Sequence, residues 1–190
     1  SIRKTSKSLN INTDAGTAAI TIANIGDTGN AGAGTTSIGN STTSNLTFGS
    51  TYYRTDGALT VTTAAGAGKI DFGGATPTIT TAGNAVEFVG GDVLLADGAD
   101  LTINTNIGNN ASNGGNITIA GAIAGTSDED LTLSVGTAGT GTVSVHAIGA
   151  GGQISTIALR GNTKIQLDGN IATSSHAGGG SAAPSLTLTG

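Results

Sequence analysis

The sequence predicts an all-β protein: a repeat β-solenoid, parallel β-helix-like, of short strands joined by Gly/Asn-rich turns. Three observations predict this fold class. Glycine is abundant, with 33 Gly among 190 residues, while aromatic residues make up 3% and Cys, Met and Trp are absent. Apolar and polar residues alternate within short segments, which is typical of strands. Similar segments recur along the chain, as in repeat architectures.

This composition favours a thin, extended core. A compact core of this size is normally filled by Leu, Phe, Met and Trp, most of which are scarce or absent here. Disordered chains usually lack regularly spaced β-branched apolar residues, and these are plentiful in this chain. Long helices are excluded, because no segment of ten or more residues keeps a helical period without glycine.

The first recurring element is a small residue or Asp followed by Leu, a polar residue and an aliphatic residue. In Leu101-Thr102-Ile103, for example, the alternation places Leu101 and Ile103 on one side and Thr102 on the other. The element begins compound repeats near residues 8, 58, 100, 130 and 185. Residues 1–190 are therefore predicted to form a single solenoid segment of variable-length repeats, since insertions are accommodated in loops.

Two further elements complete the predicted repeat. The second begins at Ile20, Ile70, Ile117 and Val143, and the third passes through Gly-Asn in 38–48, 79–88 and 157–167. The corners are predicted at glycine-rich breakers, which permit a positive φ; these are Gly90-Gly91-Asp92, Asn113-Gly114-Gly115 and Asp168-Gly169-Asn170. At roughly 20 residues per coil, about nine coils would form a rod of about 45 Å.

Charge and cysteine content exclude several classes of protein. The net charge is −5, so phosphate binding and hence a nucleic-acid partner are not expected. The absence of Cys excludes a disulfide framework and a thiolate metal site. There is no apolar run long enough for a membrane span. Because position 1 is Ser, we expect a processed or excised segment.

The order of elements in residues 130–174 resembles the repeats of giant bacterial surface proteins of the filamentous-haemagglutinin and autotransporter-passenger type. This stretch reads DLTLSVGTAGTGTVSVHAIGAGGQISTIALRGNTKIQLDGNIATS. The resemblance implies a β-solenoid at the bacterial cell surface or in the extracellular space, used in adhesion, biofilm or fibre formation. Possible contacts with a host or matrix surface follow from the same resemblance.

The final repeat leads us to expect self-association. Residues 185–190 open a fifth repeat with no capping helix or charged terminus after it. Uncapped solenoid ends present unpaired backbone groups that act as templates for strand addition. The leading hypothesis is therefore a structural or adhesive segment, not an enzyme, that associates end to end into filaments or a longer array.

The two histidines do not form a catalytic pattern. His146 is placed on an outward face with Ser144, and His176 lies in a loop rich in Ser and Gly. Catalysis would need a positioned nucleophile and an orienting acid, and no serine lies in a nucleophile elbow. The sequence therefore predicts no catalytic, cofactor-binding or metal-binding residues.

Acidic residues leave two alternatives open. Asp128-Glu129-Asp130 could bind Ca²⁺ in a calcium-stabilised surface-layer segment, although a solvated corner is favoured because the calcium-binding glycine-aspartate repeat is missing. A carbohydrate-active β-helix enzyme would need a pair of acids. The candidates, none of which is singled out by spacing, are Asp71, Glu87, Asp92, Asp97 and Asp100.

Three minor features remain. Tyr52-Tyr53-Arg54 lies outside the strand pattern and is interpreted as an edge-covering loop or as a contact site for sugar or a neighbouring protomer. Four sequons follow from richness in Asn and Thr and need no glycan; they begin at Asn40, Asn45, Asn110 and Asn116. Ice binding is not favoured, because no regular Thr-x-Thr array is evident.

Overall fold

The computed structural model contains only strands, bridges and turns among the described residues. It describes residues 7–13, 18–26, 32–107, 114–137, 140–149, 154–173 and 184–190. The strands of the first half are β1 (Leu9–Ile11), β2 (Ile20–Ile22), β3 (Thr36–Gly39), β4 (Asn45–Phe48), β5 (Tyr52–Thr55), β6 (Leu59–Thr62), β7 (Lys69–Phe72), β8 (Thr78–Thr81) and β9 (Val86–Val89). Those of the second half are β10 (Asp92–Leu95), β11 (Leu101–Asn104), β12 (Ile117–Ile119), β13 (Ile123–Ala124), β14 (Glu129–Ser134), β15 (Thr142–Val145), β16 (Ile154–Arg160), β17 (Lys164–Leu167) and β18 (Ser185–Thr189).

These strands form three parallel sheets. Sheet 1 has the order β1-β3-β6-β9-β12-β15-β17, sheet 2 the order β2-β4-β7-β10-β13, and sheet 3 the order β5-β8-β11-β14-β16-β18. Because neighbours in each sheet are separated by strands of the other two, the chain winds as a three-sided β-solenoid of about six turns. The predicted fold class is confirmed.

The predicted coil length is wrong. In sheet 1 the shortest step between register partners is 22 residues, from Val143 to Ile165, and the longest is 31, from Val86 to Ile117. With about six turns, the stack rises roughly 29 Å at the usual strand spacing, shorter than the expected rod. The strands themselves are short, and the connecting segments between them lengthen each turn beyond about 20 residues.

The recurring Leu-Thr-aliphatic element does not mark one face of the coil. Leu9 and Leu59 lie in sheet 1, whereas Leu101, Leu131 and Leu186 lie in sheet 3. All three faces use the same apolar-polar-apolar pattern, so local sequence does not distinguish them. The predicted repeat is therefore not the structural coil, and the extent of the single solenoid segment stays a prediction.

Inside the solenoid, each sheet contributes a ladder of apolar side chains in register. In sheet 3, for example, Ile79, Ile103, Leu133 and Leu159 follow one another and are fully buried. Phe48, Phe72, Phe88 and Tyr53 add an aromatic cluster near the middle of the stack. The predicted alternation is confirmed, because the intervening Thr102 and Thr132 are half-exposed.

Tight corners depend on glycine at particular positions. Gly39 and Gly83, in two of the predicted Gly-Asn turns, have φ values of 75° and 81°. Gly90 has a φ of 108°, and a Cβ on Gly91 would run into the backbone carbonyl of Gly68 in the preceding coil. Neighbouring coils therefore approach each other closely at Gly91. The positive φ predicted at the breakers is found at Gly90 but not at Gly114, Gly115 or Gly169.

Candidate functional site

The acidic segment Asp128-Glu129-Asp130 forms a corner between sheets 2 and 3. Glu129 is 1% exposed, and its carboxylate accepts hydrogen bonds from the backbone N–H groups and the hydroxyls of Thr126 and Ser127, at 2.9 to 3.1 Å. A buried carboxylate is tolerated when its lone pairs are occupied in this way. Glu129 therefore organises the turn, in contrast to the solvated corner that was favoured for this segment.

Aspartates near this corner also connect successive coils. The Asp130 N–H donates to Asp100 Oδ1, and the Thr156 N–H donates to Asp130 Oδ1, both at 2.9 Å. On sheet 2, the Ala122 N–H donates to Asp92 Oδ1 at the same distance. These carboxylates satisfy backbone donors of the next coil, which is a structural role.

The candidate acids for carbohydrate cleavage are dispersed. Glu87 lies on the outer face of sheet 1, while Asp97 and Asp100 lie at the corner that follows β10. Only Asp71 and Asp92 share an outer face, on neighbouring strands of sheet 2, and Asp92 is directly opposite Lys69. Across the described ranges, no group of three or more His, Cys, Asp or Glu side chains could hold a metal ion.

Asp71 has the most perturbed environment of these acids. Desolvation by its surroundings raises its pKa above 3.8, and the positive charge of Lys69 partly opposes that shift. Its Oδ1 atom is buried and has no hydrogen-bond partner. An ionised carboxylate in this environment lowers the stability of the folded state. The neighbouring charge belongs to Lys69 and not to another carboxylate, so the pair of acids that carbohydrate cleavage would need is not formed here.

His146 is not grouped with an acid and a nucleophile among the described residues. His146 is exposed at the end of β15, as predicted, and Ser144 lies on the same outward side. His176 lies outside the described residues.

The interpretation of Tyr52-Tyr53-Arg54 as an edge-covering loop is wrong. These residues form most of β5, and Tyr53 is fully buried, so its side chain cannot contact sugar or a protomer. Its hydroxyl accepts from the Ser50 N–H at 2.7 Å and donates to the Ser50 carbonyl at 2.9 Å. Burial raises the pKa of Tyr53, which is consistent with this enclosed position.

The sequon asparagines differ in accessibility. Asn40 donates from Nδ2 to the Thr13 carbonyl at 2.6 Å and accepts from the Thr42 N–H, so its amide is engaged in a corner. Asn116 Oδ1 accepts from the Thr142 N–H at 3.0 Å. Asn45 is exposed at the start of β4, and Asn110 lies outside the described residues.

The outer face of sheet 3 carries two ladders composed mainly of small polar residues, as expected for outward Thr, Ser and Asn on stacked strands. One ladder has the register Thr78, Thr102, Thr132, Ala158, Thr187, and the other Thr80, Asn104, Ser134, Arg160, Thr189. Threonines do align, but Ala158 and the residues of the second ladder interrupt a regular Thr-x-Thr array. Around Ala158 the face has a shallow depression of about 210 Å³.

The last coil exposes side chains that belong to the core ladders. Leu167, Leu186 and Leu188 are 38%, 47% and 50% exposed. Their register partners Val145, Ile157 and Leu159 are at most 1% exposed. These three leucines remain exposed among the described residues. We call this surface the open end, and together with the outer face of sheet 3 it is the candidate functional surface.

Comparison of the chain with protein-family models, with curated protein sequences and with solved structures gave no match. No candidate for a membrane-spanning helix occurs in the described parts of the chain. The resemblance to haemagglutinin-type surface proteins therefore stays a prediction beyond the solenoid fold itself.

Proposed function

We propose that this protein is a β-solenoid segment of an extracellular bacterial surface fibre or adhesin, without enzymatic activity, and that it associates end to end. The observation that carries the proposal is the exposure of Leu167, Leu186 and Leu188 on the last coil. Apolar surface of this kind is stabilised by burial, at roughly 25 cal/mol per Å². The location at the cell surface rests on the resemblance of residues 130–174.

A second copy of the chain is the occupant that fits this end. In sheet 1, the terminal residues Ile165 and Leu167 would continue onto Leu9 and Ile11 of β1. In sheet 3, Leu188 ends a ladder that begins at Ile25, whose side chain is already fully buried. The aliphatic residues available at the opposite end are therefore the partly exposed Leu9 and Ile11 of sheet 1, and head-to-tail stacking would extend their ladders without a change of residue type.

Backbone hydrogen bonding supports the same arrangement. Strands β17 and β18 are the last members of sheets 1 and 3, so each has one edge that no described strand covers. Parallel addition of strands from another copy would satisfy these edge groups while the leucines are buried. A head-to-tail interface of this kind repeats without closing, so the product would be a filament.

The test compares two substitutions on the same strand. Leu188→Asp places a charge at the open end, whereas Thr187→Asp places the same charge on the outer face of β18. We expect the wild type and Thr187→Asp to form filaments in negative-stain electron microscopy and to sediment faster as concentration rises. Leu188→Asp should remain monomeric with an unchanged circular dichroism spectrum.

Two results would contradict the proposal. One is a wild-type protein that stays monomeric at high concentration without filaments. The other is assembly of Leu188→Asp as strong as that of the wild type, which would place the contact elsewhere on the molecule.

A further inference from the structure

The depression on the outer face of sheet 3 is centred on a small residue. Ala158 lies in register between Thr132 on β14 and Thr187 on β18. Its methyl group lies among the residues that line a space of about 210 Å³. This is smaller than the roughly 300–1,000 Å³ of pockets that enclose a drug-sized ligand. It suits one unit of a polymer that extends beyond it.

The depression combines apolar residues, hydroxyl-bearing residues and one cation. Its apolar lining is Ala158, Leu133 and Leu159, and its polar lining is Thr132, Ser134, Thr187, Thr189 and Arg160. Hydroxyls both donate and accept hydrogen bonds, and the guanidinium donates in a planar fork that matches a carboxylate. The polar lining therefore presents one anion-binding group beside several groups that can bind alcohols.

Arg160 differs from the arginine at the other end of its ladder. Arg54 on β5 is 8% exposed, and its Nε lies 3.7 Å from the carboxylate of Asp56. Arg160 is half-exposed and forms no ion pair with an acidic side chain among the described residues. Of the two arginines, Arg160 is thus the one positioned to receive an external anion.

We propose that this depression binds one uronic-acid unit of a weakly charged polysaccharide. The carboxylate of the sugar pairs with Arg160, the sugar hydroxyls bond to the flanking Thr and Ser hydroxyls, and the methyl group of Ala158 forms the floor. A densely sulfated polysaccharide is disfavoured, because the protein has a net charge of −5 and would repel it, while the site offers only one arginine to attract it. This inference specifies a ligand for the proposed adhesive function and rests on that proposal.

The test measures binding of defined oligosaccharides by titration calorimetry. The probes are a hyaluronan tetrasaccharide, which carries glucuronate, a neutral maltotetraose and a sulfated heparin tetrasaccharide. We expect saturable binding of the hyaluronan fragment and none of maltotetraose. Arg160→Gln should weaken hyaluronan binding at least about tenfold, because a hydrogen bond to a charged group contributes about 1.5–3 kcal/mol.

A second variant tests the shape of the site independently of its charge. Ala158→Thr adds a methyl group and a hydroxyl at the floor of the depression, and threonine is the residue type that dominates this ladder and favours a strand, so the fold should be retained. We expect it also to weaken hyaluronan binding by about tenfold or more, because the added atoms occupy the position where the sugar ring meets the floor. The matched control is Lys164→Gln, which removes the same charge from exposed Lys164 on sheet 1 and should leave the affinity unchanged.

The outcomes separate this site from end-to-end association. The proposed site would be overturned if the wild type did not bind hyaluronan, if Arg160→Gln kept the wild-type affinity, or if Lys164→Gln lost as much affinity as Arg160→Gln. It would also be overturned if heparin bound more tightly than hyaluronan and Arg160→Gln did not change heparin binding. Filament formation is scored separately by sedimentation. A wild-type protein that forms filaments but does not bind hyaluronan refutes only the sugar site, and one that binds hyaluronan but forms no filaments refutes only the stacking.

Discussion

The rings of Phe48 and Phe72 are stacked in adjacent coils, with centroids 4.8 Å apart and planes 7° apart. They are register partners on β4 and β7, so this contact connects successive coils through the interior. Phe72 also lies 6.1 Å from Phe88, measured between ring centroids. Phe48 and Phe72 are fully buried and, with Tyr53 and Phe88, are the largest buried side chains among the described residues.

Replacing Phe72 with alanine should lower the free energy of unfolding by about 3–5 kcal/mol, because the cavity cannot close between rigidly stacked coils. Chemical denaturation followed by circular dichroism measures this loss. The control is Val89→Ala at a position that is 36% exposed, which should change stability by about 0.5 kcal/mol or less. A loss for Phe72→Ala as small as that of the control would mean that the aromatic cluster does not hold the coils together.

Glu129→Gln should destabilise the fold by about 1–3 kcal/mol. The substitution replaces one carboxylate oxygen with a donor, so N–H and O–H groups of Thr126 and Ser127 lose an acceptor in a buried corner. Asp128→Asn, at the exposed neighbouring position, is the matched control and should be nearly neutral. Equal stabilities of the two variants in urea denaturation would argue against a structural role for Glu129.

Asp71→Asn should stabilise the protein at neutral pH. Burial raises the pKa of Asp71, so the folded state favours the neutral carboxyl. The folded state is therefore most stable, as far as Asp71 is concerned, below the ordinary pKa of 3.8, and this stability is lost as the pH rises through the folded-state pKa. The advantage of the variant should therefore shrink as the pH falls to 3.8 and below. Melting temperatures measured across this range test the sign.

A matched control for that series is Glu87→Gln, at an exposed acid on sheet 1. At neutral pH it should change the free energy of unfolding by no more than about 0.5 kcal/mol. An Asp71→Asn protein that is less stable than the wild type at pH 7 would show that the Asp71 carboxylate is held favourably after all.

Gly90→Ala should cost more than about 1 kcal/mol of stability. Gly90 has a φ of 108°, and a Cβ there would run into the carbonyl oxygen of Thr63 in the preceding coil. Gly73→Ala is the control, because a Cβ at that exposed glycine meets nothing within 4 Å. If thermal melting ranked the two variants equally, the close approach of coils at the Gly90 corner would be contradicted.

The sequence predicted the orientation of side chains better than the size of the coil. Alternation within a strand is a local property, so Leu101 and Ile103 could be assigned to the core before any fold was known. Whether Leu59 and Leu101 lie in the same sheet depends on the number of corners between them. Because all three sheets have the same apolar-polar pattern, the sequence around each leucine does not indicate its sheet. Tyr53 is predicted in a loop because an aromatic residue next to an arginine does not match the Leu-Thr-Ile pattern. The alternation of Tyr53 with Thr55 is the local feature that indicates a strand there.

The candidate sites were out of reach for the same reason. The depression at Ala158 requires Thr132 and Thr187 to lie beside it, and these residues are 26 and 29 positions away along the chain. Only the register of β14, β16 and β18 brings them together. The exposure of Leu186 and Leu188 is compatible with the predicted end-to-end association, which stays a prediction.

Fibre diffraction from aligned assemblies of the wild-type chain tests the central claim most directly. If copies stack head to tail with their ladders continued, strands lie across the filament axis and the pattern has a meridional reflection near 4.7–4.9 Å. Leu188→Asp should yield no filaments to align. A strand-spacing reflection on the equator, or filaments without one, would contradict stacking of the solenoid through its open end.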